Sequence, residues 1–162
     1  MSDSALSALL DEARARLTGV PRERLGELHE GRRLLGIPRA ARIAPRGTAW
    51  HLGALLLTDD ALLATGDIVR SRPEVRRGFA AESQRRRAEL SAAAARGGVP
   101  EGETIHIGWE SIDPAAVGPS STPVAVRGGE LLVRWSSAGG LMPLGRYLDE
   151  RIELLRHPPE RA

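Results

Sequence analysis

The 162-residue chain contains no cysteine, no lysine and no asparagine. Without Cys there is no thiolate nucleophile, no disulfide, no Cys-ligated zinc and no iron–sulfur cluster. Without Lys there is no Schiff base, no pyridoxal anchor, no phosphate-loop lysine and no Ser–Lys catalytic pair. Aromatic residues are scarce, with one Phe, one Tyr and three Trp, which leaves little for base stacking. The longest apolar run, from Leu52 to Leu57, falls far short of the ~20 residues of a membrane helix. The first twenty residues are amphipathic and carry Asp11 and Glu12, unlike a secretory leader. These absences set the expectation of a cytoplasmic protein with no membrane partner.

All 23 basic residues are Arg, and the formal net charge is +2. The pI of 10.2 follows from Arg holding its proton at any ordinary pH. The length suits one domain over residues 1–162, with 1–3 and 158–162 frayed. A chain of this size buries roughly 70% of its unfolded surface and needs no covalent staple.

Helical periodicity is clear at both ends. Leu6, Leu9, Leu10, Ala13 and Leu17 line one face of a helix over 4–17. Leu144, Tyr147, Leu148, Ile152 and Leu155 do the same over 143–156. Pro21 opens a predicted short helix over 21–29. Ser71 and Glu74 have capping-box spacing and predict a long helix over 72–96, with Val75, Phe79, Leu90 and Ala94 on its apolar face. Strand patterns fall at 42–44, 48–57 and 61–69, with Pro45-Arg46-Gly47 as a turn and Asp59-Asp60 as another. They recur at 104–109, 124–126 and 131–135, the last two joined by Arg127-Gly128-Gly129-Glu130 as a hairpin. Strands therefore cluster instead of alternating with helices. The predicted fold class is α+β: an antiparallel sheet of about six strands in two three-stranded groups, with N-terminal, central and C-terminal helices packed on it.

Charge is unevenly spread. Residues 66–96 hold eight Arg and four acids, a balance of +4, while residues 98–162 hold six Arg and nine acids, a balance of −3. The basic segment could meet nucleic-acid phosphates. Arg85, Arg86 and Arg87 point three ways around a helix, however, so they form no single stripe. No zinc-finger or RNA-recognition signature accompanies them. Solvated Glu/Arg pairs such as Glu82 with Arg86 are the plainer reading. Arg86 falls between Phe79 and Leu90 on the predicted apolar face, with Ser83 one turn before it. A partly buried Arg needs an anionic or carbonyl partner, so Arg86 and Ser83 are candidates for an anion site.

Of the four histidines, His51 and His106 sit inside predicted strands. If those strands were neighbours, the rings could act with Asp59, Asp67 or Glu103 as an acid–base group. His51, His106 and Asp67 are the candidate catalytic residues. No His-x-x-x-His spacing is present, so no metal is expected, and no cofactor. The loops at 118–121 and 136–140 match neither a phosphate loop nor a nucleophile elbow.

The stretch Trp50-His51-Leu52-Gly53-Ala54-Leu55-Leu56-Leu57 is followed by Leu63-Ala64-Thr65-Gly66-Asp67-Ile68-Val69-Arg70 and by Pro73-Glu74-Val75-Arg76-Arg77-Gly78-Phe79. The series resembles small uncharacterised proteins of GC-rich actinobacteria, over most of the chain. Some of those proteins carry the label glutaminase, and the resemblance implies an amidohydrolase of that kind. The Ser–Lys and Cys chemistries of such enzymes are closed to this chain. A Ser or Thr nucleophile activated by His51 or His106 would have to serve. Set against that, the lack of any complete catalytic constellation points to a non-catalytic protein that binds a protein or small-molecule partner. Nucleic-acid binding through the Arg-rich helix is the third reading.

Overall fold

A computed structural model describes residues 2–31, 35–37, 39–74, 78 and 81–160. The chain resolves into two compact units. The first comprises residues 1–22, 49–65 and 110–162, and the second comprises 23–48 and 66–109. The fold is α+β, with three α-helices and two sheets among the described residues.

In the first unit, helix α1 (Ser2–Arg16) and helix α3 (Leu144–Arg156) turn their leucine stripes inward. Leu6, Leu10, Leu17, Leu52, Leu144 and Ile152 make a core from which water is excluded. The helices match the predicted ones within two residues, because their 3.6-residue periodicity is strong and unopposed. Tyr147 lies in the same core, and its hydroxyl accepts a hydrogen bond of 2.8 Å from the Ala54 amide. The indole of Trp50 donates to the Val20 carbonyl at 2.9 Å.

The second unit contains β1 (Glu23–His29), most of β2 (Arg42–Leu52), β5 (Asp67–Arg70), α2 (Glu82–Arg96) and β6 (Thr104–Ile107). Its core is Ile43, Val69, Val99, Ile105 and Ile107, closed by Ala93 and Ala94 of α2. The small alanines let the end of the helix lie close to the sheet, while residues 82–89, its first two turns, are exposed throughout.

The larger sheet has seven strands in the order β5-β6-β1-β2-β3-β4-β7, where β3 is Leu55–Leu57, β4 is Leu62–Ala64 and β7 is Glu110–Ser111. The smaller one is β10-β9-β8, from Leu141–Pro143, Glu130–Arg134 and Val124–Arg127. The predicted six strands in two antiparallel groups of three are thus corrected to seven and three. One pair, β1 with β6, is parallel.

Three local differences account for the change. Residues 23–29 form a strand, not a helix. Their intrinsic preference is outweighed by burial, and Gly26 permits it: a Cβ there would stand 2.5 Å from Cδ1 of Ile105 and 2.6 Å from Cγ2 of Ile43. Strand β2 runs straight through Pro45-Arg46-Gly47. The reversal comes instead at Gly53, in the left-handed region at φ 65°, where β2 folds back on β3. Ser71 caps no helix: it is buried, and its hydroxyl donates to the Val99 carbonyl at 2.7 Å. Helix α2 starts at Glu82 without a side-chain cap. The predicted core positions Val75 and Phe79 lie outside the described residues. No described helix is long and apolar enough to cross a membrane.

Candidate functional site

The centre of the second unit is polar at one point. Strand β6 is an interior strand, paired with β5 on one side and β1 on the other, and its successive residues Ile105, His106 and Ile107 are all buried, so both of its faces are covered. His106 has no exposed surface. A buried imidazole requires polar company. Its Nε2 lies 3.5 Å from a carboxylate oxygen of Glu23, at the first residue of β1.

The acids expected beside His106 are placed otherwise. Asp59, in the first unit, accepts a hydrogen bond of 2.7 Å from Arg22, which holds its carboxyl below the usual range against a smaller desolvation effect. Asp67 is exposed on β5, in register with Ile107. Glu103 pairs with Arg24. Glu23 escaped sequence reasoning because a helix was expected over its segment. The signal that could have found it was Gly26, a poor residue for a helix interior.

His51 belongs to the first unit. It is half-buried on β2, with its Nε2 2.9 Å from the Gly53 carbonyl oxygen. Arg86 is exposed and turned away from the core. It lies 3.4 Å from Glu30 and 3.6 Å from Glu89. Ser83 is exposed on the same free-standing part of α2. The anion site expected beneath the sheet at Arg86 and Ser83 is not formed among the described residues.

A different arginine pair emerges at the connection between β1 and β2. Residues 31–58 hold five Arg and no acid. On this connection Leu35 is 96% exposed and Ile37 68% exposed. Isolated exposed aliphatics are ordinary, but two of them two residues apart on one basic connection make a distinctive tip. Where the connection meets the strands there is an open cavity of about 760 Å³, lined by Leu28, His29, Glu30, Arg39 and Arg42 among others. Neither Arg39 nor Arg42 has an ion-pair partner among the described residues, and while Arg70, Arg72, Arg85 and Arg87 of this unit share that property, only Arg39 and Arg42 line the cavity.

The acids nearby are already engaged. Glu30 is the carboxylate that Arg86 approaches. Glu27 accepts a hydrogen bond from Arg46 at 2.7 Å, and that bond and its charge hold the Glu27 carboxyl below the usual range. Arg39 and Arg42 thus line the cavity with two guanidinium groups against the single carboxylate of Glu30, a donor set suited to phosphate or carboxylate oxygens. The other cavity, of about 520 Å³ in the first unit, offers less. Of its arginines, Arg14 is tied to Asp11 and the Thr58 carbonyl, and Arg22 to Asp59.

Comparison with protein families, curated proteins and solved structures gives no match to this chain.

Proposed function

We propose that the chain is a non-catalytic binding protein that meets its partner through the β1–β2 connection of the second unit. The supporting observation is that Arg39 and Arg42, neither in an ion pair among the described residues, line one cavity where the connection carrying the exposed Leu35 and Ile37 meets the strands. Arginine is enriched at contact surfaces, and an exposed apolar pair beside it offers area that a partner can remove from water. The cysteine-free composition supports a cytoplasmic location for it.

The test compares the wild-type chain with the double variant Leu35→Asp/Ile37→Asp, each immobilised and exposed to native lysate and its lipid extract. Material retained by the wild type and lost from the variant is the expected result. Equal retention by the two proteins, or retention of nothing, would sink this reading.

An amidohydrolase, the activity implied by the label of the similar actinobacterial proteins, would draw on Glu23 and His106 in the second unit. The complete burial of His106 weighs against it, since a general base must reach the substrate. Ammonia release from glutamine that disappears in His106→Ala would favour the enzyme over the binding protein.

A further inference from the structure

Resting on that reading of the β1–β2 connection, we infer that its partner is an anionic phospholipid surface. Leu35 and Ile37 enter the headgroup boundary, and Arg39 and Arg42 bind lipid phosphates at the cavity where the connection joins the strands.

The exposure of the apolar pair is the first argument. Leu35 is 96% exposed and Ile37 68% exposed. Two such side chains beside cations suit the boundary between headgroups and acyl chains, which takes up apolar groups without a preformed pocket.

Charge complementarity is the second argument. The run of 28 residues from Gly31 to Thr58 has five cations and no anion, so nothing on it repels an anionic surface. Of the acids on either side of the run, Glu27 is paired with Arg46, Glu30 lies 3.4 Å from Arg86 and Asp59 is paired with Arg22. Juxtamembrane cations gain from the negative potential of anionic lipid, and each guanidinium can bind a phosphate with two parallel hydrogen bonds.

The third argument is what the feature lacks. A nucleic-acid surface would need aromatic or polar groups for bases near the cations, and the connection offers Leu and Ile instead. The missing membrane-spanning helix bears on spanning only, and a peripheral contact of this kind requires none.

The experiment is flotation of the full-length chain with vesicles of phosphatidylcholine alone and of phosphatidylcholine mixed with phosphatidylglycerol. Binding to the mixed vesicles, absent from the neutral ones and weakened by added salt, is expected. Arg39→Gln/Arg42→Gln should weaken it by about tenfold or more, and Leu35→Asp/Ile37→Asp should abolish it. All four positions are exposed, so circular dichroism should show both variants folded as the wild type.

No binding to anionic vesicles at low salt would overturn the inference. So would equal binding to neutral vesicles, or anionic binding unchanged in both variants. Should the vesicles fail while the lysate comparison still separates wild type from Leu35→Asp/Ile37→Asp, the binding reading stands and the lipid is wrong. Retention of a nucleic acid that ignores the Leu35→Asp/Ile37→Asp change would reject both.

Discussion

The guanidinium carbon of Arg22 stands 3.8 Å from the centre of the Trp50 ring, while its Nη2 lies 2.7 Å from an oxygen of Asp59. One side chain thus spends its flat face on an aromatic ring and its edge on a carboxylate. This is a geometry that Arg can adopt and Lys cannot. The Asp59 carboxyl is held below its ordinary range chiefly by that hydrogen bond. A depressed folded-state value means that the pair contributes stability above the unfolded value, and that the contribution fades as pH falls through the folded one. A carboxyl NMR titration should place the Asp59 midpoint below the ordinary aspartate value in the wild type and higher in Arg22→Gln. Identical midpoints in the two proteins would contradict the pairing.

Burial of His106 makes a quantitative demand on stability. Truncation to Ala removes a ring from a closed core and leaves the polar edge of Glu23 without it. Urea denaturation of His106→Ala should show a loss of about 2–4 kcal/mol. A change below about 0.5 kcal/mol, the usual range of a surface position, would mean that the ring is not enclosed.

Gly26 should tolerate no side chain. Ala at this position meets Ile105 and Ile43 at distances that carbon atoms do not adopt, and Gly26→Ala should cost about 1–3 kcal/mol. Ile105→Val removes the nearer of the two methyls. The double variant Gly26→Ala/Ile105→Val should therefore be more stable than the sum of the single losses predicts. Simple additivity in thermal melts would show that the strand relaxes in some other way.

Arg86 offers the opposite case. Its two carboxylate neighbours are exposed and its contacts are long, so Arg86→Ala should change stability by no more than about 0.5 kcal/mol. A loss of several kcal/mol would restore the buried role that the helix pattern suggested.

The elements that could be read in the sequence were those whose own pattern agrees with their packing. Leu6, Leu10 and Ala13 in α1, and Tyr147, Leu148 and Ile152 in α3, repeat at helical spacing and bury that same face. The hairpin of β8 and β9 was legible from its glycine pair. Elsewhere a distant partner decided the outcome. Glu23–His29 is, apart from Gly26, a run of helix-tolerant residues that becomes a strand paired with β6. Ser71 and Glu74 have the spacing of a cap, but the Ser71 hydroxyl is claimed by Val99, 28 residues away. For the same reason His106 was found but Glu23 was not, since the carboxylate reaches the ring only if its segment is extended. Arg86 was marked from a face of α2 that continues as a helix without continuing to pack. The unpaired Arg39 and Arg42 carry no sequence signal of their own. They stand out only because they line the cavity beside the exposed Leu35 and Ile37.

The three tryptophans are distributed in a way that supplies an optical instrument. Trp50 is buried in the first unit with its indole N–H on the Val20 carbonyl. Trp109 is partly buried in the second, with its N–H on the Gly26 carbonyl at 3.0 Å. Trp135 is 52% exposed and already sees water. With Trp135 replaced by Phe, and one of the other two as well, the remaining indole emits from a single unit. Its red shift on denaturation then dates the melting of that unit alone. Whether the two melt as one cooperative transition or as two becomes readable from the native chromophores without any label.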